Sequence, residues 1–436
     1  MSPQTLPQTA TPSAASSGNL PSPEYVQKLT FAELTPGQLN LVVFGPGKGE
    51  ACLLQFPDGS LGIVDGCGEP SGSKKAKEQG QGDPMRELLT ELDEAARQAG
   101  QTLPRIRFVC VTHPHDDHYA GLGRLMQNFT TRIEEVWVTA PVSERYSKVL
   151  LSWVESSRAG KDFPLPDSEQ VEGLKRVIEQ VKAHRHHQRR AVISLSENKH
   201  PLNKTIEGHP LSVYACGPAD ADIDQGLDEL LHELRTKVAQ GRSKSRTDPN
   251  RTSAALVVRW GQAGILLGGD LLNGHEPHTG WQRAAQLHCL GADAGPIQVV
   301  NVAHHASKEA HYEPLWLQLK PLLAIVTPFR HAIGPAGHGE GSGNPPRPEM
   351  IRTLCRTSRV IITRPPVWNP AWKPPQPAHN DLKTAFERGD YWCQFGKTSL
   401  APSGGVNARR NAVAVSLDAQ GQIQRIVLAG EADEYR

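Results

Sequence analysis

The most restrictive feature of the sequence is a run of metal-ligating side chains that directly follows an apolar segment. Residues 106–111 (IRFVCV) predict a buried β-strand, and THPHDDHYAG follows over residues 112–121. Two histidines two positions apart at the end of an extended strand point to the same side. A carboxylate and a third imidazole then come from the turn into the next helix. This segment can therefore offer ligands to two metal ions, through His113, His115, Asp117 and His118.

Three further apolar runs also end in polar side chains. They are residues 61–64, followed by Asp65; residues 264–269, followed by Asp270; and residues 299–303, followed by His304 and His305. Because a polar group at a strand end can reach a site at the edge of a sheet, we expect these side chains to converge with the histidine run.

The H-x-H-x-D-H run after a buried strand resembles the signature of the metallo-β-lactamase superfamily of metal-dependent hydrolases. The strand before Asp65, the strand ending in Gly-Gly-Asp and the strand ending in His-His-x-Ser-Lys extend this resemblance over about residues 38–365. The last two segments, with residues 250–253 (NRTS), are similar to the soluble hydrolase domain of ComEC, the DNA-uptake channel. The branch that contains ComEC also includes enzymes that cleave phosphodiesters.

The resemblance implies an α/β fold, a metallo-β-lactamase-type αββα sandwich of two mixed β-sheets flanked by helices. Strand–helix–strand spacing with hairpins near the start agrees with this architecture. Low apolar content predicts a disordered tail over residues 1–22. The hydrolase domain is expected over residues 38–365, with a helical insertion at about residues 142–200. Residues 366–436 are expected to form a C-terminal extension with a Trp/Pro-rich linker and a β-hairpin.

The resemblance also implies a centre for two divalent metal ions. We expect His113 and His115 at the first ion, and Asp117, His118 and one histidine of the 304/305 pair at the second. Asp270 is the expected bridge, because a carboxylate has two oxygens for two ions about 3.5–4 Å apart. Mixed nitrogen and oxygen ligands favour zinc, with manganese or iron as alternatives.

The two adjacent histidines have different expected roles. Neighbouring residues leave a strand on opposite sides, so only one of them ligates. We expect His304 to ligate and His305 to act as an outer partner or proton donor, with the reverse assignment left open. Asp117, His305 and Asp65 form the expected catalytic set. Asp65 would accept an N–H from a ligand histidine and fix its tautomer; the alternative is a simple Asp-Gly turn.

Four residues are expected to bind substrate. Asn250 and Ser253 border the site in the resemblance, and Ser307 and Lys308 could hold a phosphate oxygen. The alternative for Ser307 is an N-cap at a helix start.

Two departures from the superfamily pattern concern histidines. Many members carry a further ligand histidine between the cluster and the bridging aspartate; His200 and His209 are the candidates here. ComEC-type chains also have a histidine near the end of the domain that this chain lacks, and His331 or His338 could substitute for it.

Composition limits the possible partners and compartments. A net charge of +1 gives no global attraction for nucleic acid, so any such binding rests on local patches. The basic run at residues 182–190 is typical of the cationic end of a helix. Seven cysteines without a C-x-x-C motif indicate a reducing, cytoplasmic compartment. No apolar run approaches the roughly 20 residues that span a bilayer, so no membrane association is expected.

These observations favour a metal-dependent hydrolase, a phosphodiesterase or nuclease, in which a metal-activated hydroxide attacks a phosphodiester. A metal ion lowers the pKa of bound water to about 7, which makes such a nucleophile available at neutral pH. One alternative is a small-molecule hydrolase acting on a phosphorylated metabolite, a thioester or a lactone. The other is a non-catalytic module that binds metal. The sequence does not identify a protein partner.

Overall fold

The fold is taken from a computed structural model of the 436-residue chain. It describes residues 20–45, 49–68, 83–143, 145–150, 168–186, 188–240, 248–329, 345–364, 411–430 and 432–435. Several features expected from the sequence lie outside the described residues: most of the predicted tail, the Trp/Pro-rich linker, His331 and His338.

The described residues form eighteen strands. In order they are β1 (Glu24–Val26), β2 (Leu39–Phe44), β3 (Ala51–Gln55), β4 (Leu61–Val64), β5 (Gly66–Cys67), β6 (Ile106–Val111), β7 (Ile133–Val138), β8 (Ala191–Ser194), β9 (Lys199–Ile206), β10 (His209–Gly217), β11 (Ala255–Trp260), β12 (Ala263–Leu267), β13 (Val299–Asn301), β14 (Leu323–Val326), β15 (Arg359–Ile362), β16 (Ala412–Leu417), β17 (Ile423–Ala429) and β18 (Asp433–Tyr435).

Helices connect many of these strands. The α-helices of the described residues are α1 (Pro84–Gln98), α2 (Asp116–Tyr119), α3 (Leu122–Asn128), α4 (Ser168–His186), α5 (Asp220–Gln240), α6 (Gly280–Ala284), α7 (Glu313–Leu319) and α8 (Pro348–Cys355). In the part of the chain that is described, none of the helices has the length and apolar character needed to cross a membrane.

Two mixed sheets are built from these strands. The first has nine strands in the order β1-β17-β16-β2-β3-β4-β6-β7-β8, and the second has eight in the order β18-β15-β14-β13-β12-β11-β10-β9. In the first sheet β4, β6, β7 and β8 run parallel. In the second, β12 to β15 run parallel. All six residues of β6 are buried, as expected for a central parallel strand covered on both faces.

The apolar core has three layers that show how the sheets and helices pack. Between the sheets, side chains of the first sheet such as Phe108 and Trp137 meet side chains of the second such as Ile265 and Ile325. The Phe108 and Trp137 rings stack with centroids 3.7 Å apart. Helices α1, α3 and α4 cover the outer face of the first sheet, and α6, α7 and α8 cover that of the second. The predicted αββα sandwich of two mixed sheets is confirmed.

The C-terminal hairpin is part of the sandwich. Its first strand, β16, pairs with β2 in the register Ala412↔Phe44, so β16 and β17 lie inside the first sheet. The sequence assigned these residues to an extension after residue 365, because pairing between distant segments leaves no local signal. The hairpin itself is present as predicted.

The region predicted as a helical insertion contains both a helix and a strand. Helix α4 ends with His184, Arg185 and His186 in its last turn, as the basic run predicted. Strand β8 follows it and pairs in parallel with β7, so the end of this region extends the first sheet. Nearby, Arg190 donates hydrogen bonds to the carbonyls of Thr130 and Ile133, so this arginine connects the end of the region to the segment at the start of β7.

Candidate metal centre

The strand ends singled out in the sequence meet at one edge of the sandwich. Strands β4 and β6 are parallel neighbours in the first sheet, and β12 and β13 are parallel neighbours in the second. The carboxyl ends of parallel neighbours lie at the same edge of a sheet. The N–H of Ala254 donates to the carbonyl of Thr112 at 3.0 Å, which joins the two sheets beside the histidine run.

A first group of ligands consists of His113, His115 and Asp270. Their ligand atoms lie within 4.8 Å of one another, and both His113 and Asp270 are buried. His113 Nε2 is 3.6 Å from Asp270 Oδ2. These are the residues expected at the first metal ion, together with the expected bridge.

A second group consists of Asp117, His118 and His305. Their ligand atoms also lie within 4.8 Å of one another, and all three side chains are buried. His305 Nε2 is 3.2 Å from Asp117 Oδ2. His118 Nε2 is 3.2 Å from Asp270 Oδ1. The two oxygens of Asp270 therefore face histidines of different groups, which is the arrangement a bridging carboxylate needs.

The donor atoms fit divalent cations. His113 Nε2 and His118 Nε2 are buried and have no hydrogen-bond partner within the described part of the chain. Their Nδ1 atoms are already occupied, by Thr112 Oγ1 at 3.0 Å for His113 and by Asp65 Oδ2 at 2.7 Å for His118. Buried polar atoms are rarely left unpaired, so two imidazole nitrogens beside a buried carboxylate indicate a metal site.

The charges of the centre agree with this fit. Burial alone would lower the pKa of His305, but the hydrogen bond with Asp117 and the charge of Asp270 outweigh it and raise that pKa to about 9. Burial likewise lowers the pKa of His118, and Asp270 and Asp65 reverse the effect and raise it well above its usual value. Metal binding displaces such protons, because an imidazole ligates in its neutral form.

Asp65 occupies the place expected for an outer partner. It accepts from His118 Nδ1, and its other oxygen accepts from the Thr112 N–H at 2.8 Å. The Thr112 hydroxyl donates to Asp65 Oδ2 at 2.5 Å. A carboxylate in this position holds the ring with its proton on Nδ1, which leaves Nε2 free to ligate. Sequence reasoning missed Thr112, although its position directly before His113 was a usable signal.

The adjacent histidines lie as in the reverse assignment that the sequence left open. His304, His305 and Ala306 all have left-handed backbone conformations, with φ of 49°, 55° and 60°. The alternation expected from an extended strand therefore does not apply. His305, whose exposed fraction is 2%, joins the second group. The His304 side chain is 25% exposed, and its Nε2 is 3.9 Å from Asp270 Oδ2, on the side of His113.

The part-exposed His304, here called the mouth of the centre, contacts two of the expected substrate-binding residues, Asn250 and Ser307, which are themselves buried. Its Nδ1 contacts Ser307 Oγ at 2.8 Å and its Nε2 contacts Asn250 Nδ2 at 3.1 Å. An amide nitrogen only donates, so Nε2 accepts and the ring proton lies on Nδ1. Ser307 occupies the N-cap position of the short 3-10 helix Lys308–Ala310, as the alternative expected, but its hydroxyl makes no cap bond. Lys308 is exposed beside this turn.

Ser253 does not lie where a substrate could reach it. The residue is fully buried, and its hydroxyl accepts from the Asp270 N–H at 2.9 Å and contacts His113 Nδ1 at 3.3 Å. The expectation that Ser253 binds substrate is therefore corrected. Its hydroxyl instead contacts two members of the first group, directly after the short 3-10 helix Pro249–Thr252.

Neither candidate for the further ligand histidine belongs to a described ligand group. The His200 ring stacks on Tyr214 with centroids 4.0 Å apart, and His209 packs edge-on against Trp260 at 5.6 Å.

Glu50 is a second residue that sequence reasoning missed. It is 4% exposed, it accepts from Asn301 Nδ2 at 2.6 Å, and its N–H donates to the Asp117 carbonyl at 3.1 Å. Burial raises its pKa to about 7, against the opposing influence of His305 and His118. Glu50 lies in the loop between two hairpin strands and carries no motif, so the sequence contained no signal for it.

Fold and site together define a class of αββα proteins with histidine and aspartate ligands at one edge of the sandwich. The family model described as "Metallo-beta-lactamase superfamily" matches residues 53–326, and the chain belongs to this superfamily. No curated protein matches the chain.

Two solved structures are among those that the chain matches. Igni18, a metallo hydrolase from the hyperthermophilic archaeon Ignicoccus hospitalis, is 9% identical with a TM-score of 0.34, over 76% of this chain and 97% of that chain. YhfI, a metallo-beta-lactamase fold protein from Bacillus subtilis, is 11% identical with a TM-score of 0.34, over 76% of this chain and 99% of that chain.

Proposed function

We propose that the chain is a metal-dependent phosphodiesterase of the ComEC-type branch, with nucleic acid as its foremost substrate class. The observation that carries this proposal is the position of Asp270. Its oxygens lie 3.6 Å from His113 Nε2 and 3.2 Å from His118 Nε2, between two groups of buried ligands. A dinuclear centre suits phosphodiester hydrolysis, because two ions can stabilise both the attacking and the leaving oxygen.

In this proposal two ions share the described ligands. The first ion would be held by His113, His115 and Asp270, and the second by Asp117, His118, His305 and Asp270. We favour zinc for this mixture of imidazole and carboxylate, with manganese or iron as alternatives. When bound, the ions supply Lewis acidity and a water whose pKa is lowered towards neutrality.

The mouth of the centre supports an anionic, oxygen-rich substrate. His304 is the part-exposed imidazole there, and Asn250 and Ser307 bond to its two ring nitrogens. Burial lowers the pKa of His304 despite the opposing charge of Asp270, which favours the neutral form of the ring. In this proposal a phosphate oxygen would meet His304 and the exposed ammonium of Lys308, while Asp65 and Thr112 hold the ligands still.

A substrate panel tests the proposal. Purified protein loaded with Mn²⁺ or Zn²⁺ is incubated with bis-p-nitrophenyl phosphate, single-stranded DNA, duplex DNA and RNA, and with a thioester and a lactone. We expect cleavage of the diester and of at least one polymer. His115→Ala and Asp117→Ala should abolish cleavage, while His200→Ala, a histidine stacked on Tyr214, should leave it unchanged.

Other outcomes of the panel would replace the proposal. Cleavage of the small diester, thioester or lactone without any polymer would point to a small-molecule hydrolase. Metal binding without any cleavage would point to a non-catalytic module.

We also propose a cytoplasmic location, because Cys52, Cys67, Cys110, Cys216 and Cys289 form no disulfide within the described part of the chain. Cell fractionation tests this, and recovery of the protein outside the cytoplasm would contradict it.

A further inference from the structure

A buried carboxylate lies beside the candidate metal centre but belongs to neither ligand group. Glu50 is 4% exposed and lies between β2 and β3, directly before the first residue of β3. Among the described residues, the groups whose ligand atoms come within 4.8 Å of one another do not include it. Burying an ionisable carboxylate is costly unless a partner compensates its charge, so its position calls for a physical reason.

Both sheets fix the position of Glu50. Its Oε1 accepts from Asn301 Nδ2 at 2.6 Å, and Asn301 is the last residue of β13 in the second sheet. Its N–H donates to the carbonyl of Asp117 at 3.1 Å. At the preceding Gly49, an added Cβ would lie 1.6 Å from the Asp117 carbonyl oxygen. The chain therefore passes directly against the backbone of residues 113–118, which leaves the Glu50 side chain little freedom.

The second carboxylate oxygen of Glu50 has no partner. Oε2 is buried and makes no hydrogen bond within the described part of the chain. The positive groups that act most strongly on the carboxylate are the imidazoles of His305 and His118, two members of the second group. Because the carboxylate has one buried oxygen without a partner and its own backbone bonds to that of Asp117, it would also feel a cation held by the second group.

Glu50 is one of four buried carboxylates in this region. Asp65, Asp117, Asp270 and Glu50 are all buried and carry one negative charge each when ionised. Each of these charges favours a divalent cation held nearby. Because Coulomb interactions are strong in a buried site, one missing charge changes the affinity for a cation.

We propose that Glu50 is a positioning residue for the metal centre, whose fixed negative charge raises the affinity of the second group for a divalent cation. The inference rests on the metal centre of the proposed function. Glu50 does not touch the substrate and ligates no ion. It acts through its charge, which Asn301 and the Asp117 backbone hold in place.

Three substitutions separate this charge effect from a packing effect. Glu50→Gln keeps the shape and an oxygen for Asn301 but removes the charge. Glu50→Asp keeps the charge, and Glu50→Ala removes both. Glu434→Gln is the matched control, because Glu434 is also a buried glutamate, paired with Arg359 at the far edge of the second sheet.

The primary measurement is the affinity for Zn²⁺ by competition with a chromogenic chelator, with metal content determined by elemental analysis. We expect Glu50→Gln and Glu50→Ala to weaken Zn²⁺ binding by the second group by about 10- to 100-fold, the range typical of outer-sphere partners. Glu50→Asp should recover most of this loss, and Glu434→Gln should bind like the wild type.

Thermal unfolding supplies a second, independent readout. Removing an uncompensated buried charge should leave the Tm of the metal-free Glu50→Gln protein unchanged or higher, while the rise in Tm on adding Zn²⁺ becomes smaller. A purely structural hydrogen-bonding role would instead lower the Tm of the metal-free protein and leave the rise intact.

The outcomes distinguish this inference from the proposed function. Wild-type protein that binds no divalent metal would overturn the proposed function itself. Wild-type protein that binds two ions, beside Glu50→Gln with unchanged affinity, would overturn only the role of Glu50. If Glu50→Gln does not fold, Asn301→Ala replaces it. That change frees the Glu50 carboxylate from its fixed position. If the affinity of the second group for Zn²⁺ then stays unchanged, the inference is rejected.

Discussion

Replacing Asp65 by asparagine tests whether the outer partner of His118 controls the metal centre. The residue has a left-handed backbone with φ of 60°, a conformation that asparagine also tolerates, so the substitution preserves the turn. If the asparagine oxygen keeps its bond from the Thr112 N–H, its NH₂ faces His118 Nδ1. That nitrogen must then accept, which moves the ring proton to Nε2 and blocks the ligating atom.

The contacts set the size of the expected effect. The lost interaction is a charge-assisted hydrogen bond of 2.7 Å between Asp65 and His118, inside a fully buried cluster. Loss of such an outer-sphere partner costs about 10- to 100-fold in metal affinity. With about 1.4 kcal/mol for each factor of ten, this equals roughly 1.4–2.8 kcal/mol of binding free energy. Stability without metal should change little, because the substitution also removes a buried charge.

The assay is metal affinity by chelator competition, combined with chemical unfolding of the metal-free protein. Thr112→Ser keeps the hydroxyl and the N–H that hold Asp65, and it serves as the matched control with near wild-type affinity. Wild-type affinity in Asp65→Asn would refute the reasoning about the tautomer. Reduced affinity together with a large loss of metal-free stability would show that Asp65 acts through folding instead.

Three further outcomes follow from the geometry. We expect His305→Ala to lose about one metal equivalent by elemental analysis. His304→Ala should keep both ions but lose turnover, by about 100- to 10,000-fold if the His304 imidazole assists proton transfer. Gly49→Ala should lower the free energy of unfolding in urea by about 1–3 kcal/mol, because its Cβ would collide with the ligand-run backbone. Burial raises the pKa of Asp58, but hydrogen bonds from Ser60 and Arg107 outweigh this effect and lower the pKa. The stability lost in Asp58→Asn should therefore be constant above about pH 5 and shrink below about pH 4, measured by urea unfolding at several pH values.

The sequence predicted the parts of the fold and site that depend on local patterns. Buried apolar runs identified strands such as β6 and β12, because a central strand is apolar on both faces. The ligand run from His113 to His118 and the carboxylate Asp270 were predictable because each directly follows such a strand. The pairing of β16 with β2 was not, since it joins residues 412 and 44 and no local pattern encodes so distant a partner.

The remaining errors concern side chains whose surroundings depend on the path of the backbone. His304 and His305 were assigned by strand alternation, but three consecutive left-handed residues turn the chain and send His305 inward. Ser253 lies in a hydroxyl-rich segment typical of a surface loop, yet it is completely buried against Asp270. Glu50 resembles an ordinary loop glutamate until Asn301 of the opposite sheet is seen to hold it.

Each ligand group draws on both sheets, and this links the chemistry of the site to the stability of the sandwich. His113, His115, Asp117 and His118 follow β6 of the first sheet, whereas Asp270 and His305 follow β12 and β13 of the second. A cation bound by either group therefore connects the two layers. Because the groups come together only when the sheets pack, the free energy of metal binding adds directly to the free energy of folding. Asp65 and Glu50 contribute to this link between metal binding and folding. Asp65 bonds to His118 and Glu50 bonds to the Asp117 backbone, so each restrains a ligand that follows the first sheet.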